Sequence, residues 1–203
     1  ASFGFRVRFE PRAKRPHTRI ESAFLKTDTL QQLIELEAGA KLLKGTHPGV
    51  VLRLKLEVDT DPPPGFRTEP RYLSYPGPFP VRAYALPDLF AGKLHAVLFR
   101  HWGNRVKGRD WYDFAWYAGR HPAVNLQHLE KRMRQSGDLQ ADQSLDLERL
   151  KTLLRETITR LDLGRARKEV EPFVRDPRSL EVWSQEYFNS MVERVQAAEE
   201  PKA

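Results

Sequence analysis

The chain has 203 residues, of which 40% are hydrophobic and 30% charged, and its formal net charge is +7. This length and hydrophobic content exclude a disordered chain and predict one domain, or one domain with an appendage, built on a real core. The absence of cysteine excludes a disulfide framework, a thiolate zinc site and a cysteine nucleophile, and it fits a reducing compartment such as the cytoplasm. No apolar run approaches the roughly 20 residues of a membrane span, so we expect no membrane partner.

Basic side chains are concentrated in two stretches of the chain. Residues 1–26 carry seven basic and two acidic side chains, and residues 93–134 carry nine basic and three acidic ones. From residue 135 onward acidic side chains prevail. Two interpretations remain open: a footprint for a polyanion on the first two-thirds of the chain, or lysines and arginines that only solvate a surface.

Strand patterns prevail in the first part of the chain. Apolar and polar residues alternate over 3–9 and 50–58, and shorter strand-like runs lie at 20–25 and 79–86. The strand at 50–58 should end before consecutive prolines, because they cannot donate hydrogen bonds to a sheet. Between these runs, the apolar residues of 29–43 have partly helical spacing.

Helix patterns follow the strands. Pro87 suits a first helical turn before an apolar stripe, and two further helices are predicted over 109–119 and after Asn125. The C-terminal third has helical patterns at 145–161, 163–170 and 180–195. Strands first and helices afterwards predict an α+β fold class rather than a doubly wound α/β fold.

The first candidate functional residue is Lys93, which falls on the apolar stripe of its predicted helix. Burying an unpaired ammonium is costly, so this side chain needs an anion or a route to water. Two explanations remain open: a packed stem with the amine at the rim, or a lysine that holds a phosphate in a cleft. The small neighbours Ala91 and Gly92 would let another group approach this helix closely.

The second candidate is the segment Arg109-Asp110-Trp111-Tyr112-Asp113. Asp110 and Asp113 should share a helix face in the first turn, where acidic side chains cap amides and complement the dipole. Two acids beside aromatic residues, entered through Lys107-Gly108-Arg109, also suit an ion pair or a carboxylate that assists a metal. The capping role and the site role both remain open.

The third candidate is one face of the strand at 50–58, with Lys55, Glu57 and Asp59 at alternate positions. Carboxylates that project from a sheet into a cleft hold magnesium or act as a base in many phosphoryl-transfer enzymes. The alternative is the solvent face of an edge strand. The six histidines have no metal-ligand spacing, so we expect no zinc site.

Three motifs, in this order and spacing, carry a family resemblance. The motifs are LRLKLEVDTDPPPG at 52–65, LPDLFAGKLHA at 86–96 and KGRDWYD at 107–113. Together they resemble the AbiEii/AbiGii toxin family of nucleotidyltransferases. The resemblance implies a partial nucleotidyltransferase core of the polymerase-beta type, a mixed sheet with flanking helices over 1–86, and a helical region over 87–203.

The resemblance also implies a function. Members of this family are typically the toxins of toxin–antitoxin pairs, and several transfer nucleotides to the acceptor end of tRNA. We therefore expect a cytoplasmic enzyme that transfers a nucleotide from an NTP, with Mg²⁺, to an RNA end or another acceptor. Candidate partners are the NTP, an RNA such as tRNA, and a cognate antitoxin protein.

Site residues follow from the motifs by the same resemblance. Lys93 matches the family lysine that contacts the triphosphate, and Asp110 matches the acid of the Arg-Asp-x-Tyr-Asp motif, a catalytic base or organiser. Glu57 resembles the third acid of the core, a catalytic and metal-binding position, with Asp59 as a weaker claimant for the metal. Supporting residues are Lys55 and Arg109 for nucleotide binding, and Asp113 and Lys107 in secondary roles.

One family motif is missing from the sequence. The family's first motif is a Gly-Gly or Gly-Ser turn followed by a strand with two metal-binding aspartates, and this chain contains neither dipeptide. The chain begins at Ala1 rather than Met, so we expect that an upstream part is missing and that this chain alone transfers no nucleotide. The competing hypothesis is a basic module, on a degenerate nucleotidyltransferase fold, that binds RNA or a protein without catalysis.

Overall fold

The computed structural model describes residues 5–11, 29–38, 51–59, 62–75, 77–100 and 106–199. For the first three segments the description covers backbone pairing. The chain divides into two compact units, Ala1–Pro62 and Pro63–Ala203. The domain boundary at residue 86 stays a prediction.

The first unit contains an antiparallel three-stranded sheet in the order β1-β2-β3. Its strands are β1 (Phe5–Pro11), β2 (Thr29–Ala38) and β3 (Val51–Asp59). In this register Leu36 of β2 pairs with Val7 on one side and Leu52 on the other. The strands predicted over 3–9 and 50–58 are thereby confirmed, and the strand predicted over 20–25 lies outside the described residues.

The helical expectation for 29–43 is wrong over Thr29–Ala38, which form the central strand of this sheet. Its second half, Ile34-Glu35-Leu36-Glu37, alternates apolar and polar residues in the way that favours a strand. The backbone of β2 also pairs with a neighbour on each side, and such tertiary pairing overrides the spacing of a few leucines.

The second unit begins with an antiparallel hairpin of β4 (Thr68–Leu73) and β5 (Phe79–Tyr84). In its described part the α-helices that follow are α1 (Leu86–Phe99), α2 (Gly108–Arg120), α3 (Leu126–Ser136), α4 (Leu147–Thr159), α5 (Leu163–Val170) and α6 (Gln185–Arg194). Short 3-10 turns lie at Glu171–Phe173 and Pro177–Leu180. A parallel bridge joins β6 (Ala123–Val124) to β7 (Gln196–Ala197).

This order of elements confirms the α+β fold class. The predicted helices are present, and the strand predicted over 79–86 is β5, whereas β4 was not predicted. No helix in the described part of the chain combines the length and the apolar content needed to cross a membrane.

Local sequence explains where several helices begin. Asn125, Asp146, Asp162 and Ser184 each precede a helix, and each side chain accepts a hydrogen bond from the backbone N–H three residues further on. A cap of this kind stabilises a helix by about 1 kcal/mol. Gly137 ends α3 with φ of 81°, a left-handed conformation that glycine adopts without a steric penalty.

Aromatic side chains pack α1, α2 and α6 together. Phe90, Phe114 and Phe188 are fully buried, one from each of these helices. The ring of Phe90 stacks on Tyr117 with 5.0 Å between centroids, and Trp111 meets Phe188 edge to face at 5.1 Å. This packing places α1 beside α2 and so determines which polar residues meet along their shared edge.

A buried polar network fastens the start of the second unit to its helices. The Asp88 carboxylate, on α1, accepts hydrogen bonds from the Arg67 backbone N–H at 3.0 Å, the Arg67 Nε at 3.2 Å and the Asn125 Nδ2 at 2.7 Å. His128 Nδ1 donates to the Pro64 carbonyl oxygen at 3.0 Å. These contacts hold the segment that follows the prolines against α1 and α3.

Candidate functional site

Two family motifs meet along the shared edge of α1 and α2, which we call the α1–α2 seam and define by Lys93, Arg100, Asp110 and Asp113. Lys93 Nζ lies 2.5 Å from Asp113 Oδ2, and Arg100 Nη1 lies 3.7 Å from Asp110 Oδ2. The earlier residue of the first helix pairs with the later residue of the second, as expected for two antiparallel helices. The seam therefore sets Lys93 of α1 and Arg100, the residue that follows α1, against two carboxylates of α2.

Lys93 lies at the edge of α1 rather than on its buried face, so its placement on the apolar stripe is wrong. The fully buried positions of α1 are Phe90, Ala91 and Leu94, whereas Leu89 is 40% exposed. The Lys93 side chain is 42% exposed and its ammonium has Asp113 as a partner. The ammonium of Lys93 thus has both a counter-ion and access to solvent, so the helix does not bury an unpaired charge.

Asp110 is the buried carboxylate of the seam. The residue is 8% exposed, and burial raises the pKa of Asp110, an effect that the positive charges of Arg100, Lys93 and Lys107 oppose. Among the residues that the structure describes, its Oδ2 accepts no hydrogen bond. A carboxylate kept from water beside several cations is a common feature of functional sites.

The N-terminus of α2 receives its carboxylate from another helix. Glu169 of α5 accepts a hydrogen bond from the Arg109 backbone N–H at 3.1 Å. Its other oxygen lies 3.7 Å from Lys107 Nζ and 3.8 Å from Arg109 Nε. Glu169 therefore supplies an acceptor to an otherwise unsatisfied amide of α2, the role that the sequence left open for Asp110 or Asp113.

Gly108 allows α5 to come this close. A Cβ atom at this position would lie 2.0 Å from the Ala166 backbone oxygen, far inside contact distance. The glycine of the Lys-Gly-Arg-Asp motif is thus required by the packing of two backbones, and Glu169 reaches Arg109 because of it. Sequence reasoning missed Glu169, since no local pattern connects positions 60 residues apart.

A cleft of about 170 Å³, open to solvent, lies beside the seam. Its polar lining residues are Arg100, Lys107, Asp110, Thr157, Arg160 and Asp162. Lys93 is not among the described residues that line it, so the cleft brings Lys107 and Asp110 together and leaves Lys93 further along the seam. Arg100 and Arg160 are additional cations here that sequence reasoning did not select.

The group that approaches the small residues of α1 is an arginine of α3. The Arg132 Cζ lies 3.9 Å from where a Cβ of Gly92 would be. Arg132 Nε is buried and finds no hydrogen-bond acceptor among the described residues. Burial, together with the charge of Arg132, lowers the pKa of His95 to about 4, so that this buried histidine is neutral at physiological pH.

Lys55, Glu57 and Asp59 occupy alternate positions of β3. Their backbone partners in β2 are Leu33, Gln31 and Thr29. Their side chains lie outside the described part of the chain, and so their convergence with Lys93 and Asp110 stays a prediction. Among the side chains that the structure does describe, no three His, Cys, Asp or Glu residues form a group that could hold a metal ion.

Comparison with known proteins places the chain in a family. A family model described as nucleotidyl transferase AbiEii toxin, of type IV toxin–antitoxin systems, matches residues 3–194. The chain therefore belongs to the AbiEii family of nucleotidyl transferase toxins, and the predicted resemblance is confirmed. No curated protein matches it.

One solved structure is similar to this chain. It is a protein from H. pylori that is described as a candidate nucleotidyltransferase. The two sequences are 13% identical, with a TM-score of 0.46 over 94% of this chain. This chain spans 66% of the length of that protein.

Proposed function

We propose that this protein is a nucleotidyltransferase toxin that transfers a nucleotide from an NTP to an RNA end, with tRNA as the candidate acceptor and an antitoxin protein as its partner. Family membership supports the class of reaction. The observation that carries the proposal is the α1–α2 seam. There Lys93 contacts Asp113 and acts electrostatically on Asp110, so residues of two family motifs share one location.

Lys93 is proposed to hold a phosphate of the NTP. Its side chain is 42% exposed and its partner Asp113 is 36% exposed, so a phosphate oxygen can reach the ammonium from solvent. The phosphate would replace Asp113 as the counter-ion. A cation placed against the transferred group stabilises the charge that develops there, which is a major contribution to phosphoryl transfer.

Asp110 is proposed to be the general base. In the reaction the acceptor hydroxyl oxygen forms a bond to the α-phosphorus, the α–β phosphoanhydride bond breaks and pyrophosphate leaves, while Asp110 takes the hydroxyl proton. Burial raises the pKa of Asp110, and a higher pKa makes its carboxylate a stronger base. The charges of Arg100, Lys93 and Lys107 lower that pKa again and favour the ionised form that the step requires.

Glu57 and Asp59 remain the proposed ligands of Mg²⁺, which would neutralise phosphate charge when bound. No step above depends on the metal. The 203 residues contain no Gly-Gly or Gly-Ser turn before paired aspartates. We therefore expect the chain alone to bind an NTP without transferring a nucleotide.

The test separates binding from transfer. The chain is titrated with a fluorescent ATP analogue, and Lys93→Ala should weaken its binding about tenfold or more. Lys168→Ala, which removes an exposed lysine of α5, is the matched control and should leave binding unchanged. Transfer is measured as incorporation of label from α-³²P-labelled NTPs into tRNA, with these 203 residues and with the protein as its gene encodes it.

Loss of incorporation in Lys93→Ala and Asp110→Asn of the protein as its gene encodes it would support the proposed roles. Absence of incorporation in the wild-type protein, with every NTP and with total RNA as acceptor, would overturn the proposed transfer. Nucleotide binding that survives Lys93→Ala would overturn the role of this lysine and favour a module that binds without catalysis.

A further inference from the structure

The β4–β5 hairpin presents one exposed face, which we call the hairpin face and define by Tyr72, Arg82 and Tyr84. In the antiparallel register Tyr72 pairs with Pro80, Pro70 with Arg82, and Thr68 with Tyr84. Directly paired residues lie on the same side of a sheet, and so do alternate residues along each strand. Two tyrosines and one arginine therefore share this side of the hairpin.

The hairpin face is open to solvent. Tyr72 is 77% exposed and Tyr84 is 36% exposed, and Arg82 is exposed between them. Isolated apolar residues at a surface are ordinary, but two aromatic rings on one small hairpin face form an unusual concentration. At the hairpin tip Tyr75 is 88% exposed and adds a further ring.

The two faces of the hairpin differ in charge. The opposite face carries an acid, Glu69, whose Oε1 accepts a hydrogen bond from Arg71 at 2.7 Å, so the charges there are balanced internally. On the side of the hairpin face the six paired positions are Thr68, Pro70, Tyr72, Pro80, Arg82 and Tyr84, and none of them is acidic. Arg82 has no ion-pair partner among the described residues, and the charge of this face is therefore available to an anion.

The inner end of the hairpin face lies next to α3. The Tyr84 ring lies 4.6 Å from the ring of Phe66, which in turn lies 6.1 Å from the ring of His128 on α3. Arg132, one turn further along α3, lies against Gly92, the residue before Lys93. Aromatic rings thus connect the hairpin to α3, which packs on the helix that carries the proposed phosphate-binding lysine.

We propose that the hairpin face binds an unpaired segment of the RNA acceptor, with bases stacked on Tyr72 and Tyr84 and a phosphate contacted by Arg82. This inference rests on the proposed function, since it assigns a surface to the RNA of that reaction. Aromatic rings interleaved with cations are how proteins bind single strands, because every base has a face that stacks. A face that combines aromatic rings with a cation and carries no acid fits a nucleic acid better than a protein.

The test is binding of a short fluorescein-labelled oligo(A) RNA to the chain, followed by fluorescence anisotropy at constant salt. Tyr72→Ala should weaken binding about tenfold, equivalent to about 1.4 kcal/mol and within the range for the loss of one base–aromatic stack. Leu73→Ala, on the opposite face of the same hairpin, is the matched control and should have little effect. Arg82→Gln should weaken binding, and Arg71→Gln should weaken it less.

Further measurements keep this inference distinct from the proposed function. Binding of the fluorescent ATP analogue should be unchanged in Tyr72→Ala, because the ring lies on the hairpin rather than on α1 or α2. The single strand should bind more tightly than the same sequence in a duplex.

Equal effects of Tyr72→Ala and Leu73→Ala, or tighter binding of the duplex, would overturn the inference while leaving the transfer reaction in place. RNA affinity unchanged in Tyr72→Ala would also overturn it and would make a protein such as the antitoxin the better occupant of this face.

Discussion

Lys93 of α1 and Asp113 of α2 form an ion pair with 2.5 Å between Nζ and Oδ2. Both side chains are more than one-third exposed, so this pair contributes little to stability. Its importance lies in the choice of counter-ion, because a phosphate that binds Lys93 must compete with Asp113. The same carboxylate that holds the lysine in place therefore opposes nucleotide binding.

We expect Asp113→Asn to tighten nucleotide binding by the chain several-fold, since it removes a negative charge beside the lysine. An exposed ion pair is worth roughly 1 kcal/mol or less, which corresponds to about fivefold in affinity. The measurement is titration with a fluorescent ATP analogue. Asp142→Asn removes an exposed acid elsewhere and should change nothing. Weaker binding in Asp113→Asn would contradict the competition.

We expect Asp110→Asn to raise the melting temperature at neutral pH, by roughly 2 °C if the gain is about 1 kcal/mol. Burial raises the pKa of Asp110, so the folded state binds the proton more tightly than the unfolded chain does. Ionisation of Asp110 therefore costs stability above its folded pKa, and this cost disappears as the pH falls through that pKa towards 3.8.

The advantage of Asp110→Asn should accordingly shrink on acidification. The check is a series of thermal melts of both proteins from neutral pH downward. A variant that is less stable than the wild type at neutral pH would show that attraction to Arg100 outweighs the burial of the carboxylate. A gain in stability with a loss of transfer is the pattern expected of a catalytic carboxylate.

We expect Gly108→Ala to lower the free energy of unfolding of the second unit by about 2–3 kcal/mol, because the new methyl group would collide with the Ala166 carbonyl oxygen. Gly119→Ala is the matched control on the same helix, where a Cβ meets nothing within 4 Å. That control should be neutral or stabilising by up to about 1 kcal/mol, since alanine favours helix. Urea unfolding measures both, and equal effects would contradict the close approach of α5.

We expect Asp88→Ala to cost about 2–4 kcal/mol, because it leaves the Arg67 backbone N–H and the Asn125 amide without their acceptor in a buried place. Glu69→Ala breaks the exposed pair with Arg71 and should cost less than about 1 kcal/mol. The two costs are compared from the midpoints of urea unfolding, provided that the dependence of the unfolding free energy on urea is the same in both variants. Similar costs for the two would show that the Asp88 network adds nothing beyond an ordinary surface pair.

The sequence predicted those strands and helices whose conformation depends on residues close to them along the chain. The alternation in β3 and the caps at Asn125 and Asp146 act within a few residues, and so they can be read along the chain. β2 could not be predicted from its leucines, because its strand conformation depends on pairing with two distant segments. β4 was missed because Pro70 interrupts its pattern and because, among the described strands, β5 alone pairs with it.

The candidate site could be predicted in its residue types and only in part in its geometry. The motifs selected Lys93, Asp110 and Asp113, and the packing of α1 on α2 decides that Asp113 is the partner of the lysine. Glu169 and Arg132 could not be selected, since each reaches the site through helices packed against α1 or α2 from far along the chain. Which residues neutralise one another is a property of tertiary packing.

Glu169 changes what the net charge of +7 means for a binding partner. One carboxylate of α5 lies within 4 Å of cationic atoms of Lys107 and Arg109, so the charge of the basic turn before α2 is partly neutralised inside the molecule. A polyanion gains less by approaching cations that have a counter-ion, and it gains more at Arg82, which is exposed on the hairpin. The count of basic residues thus overstates the positive charge that the turn offers to a polyanion, whereas the charge of Arg82 is offered in full.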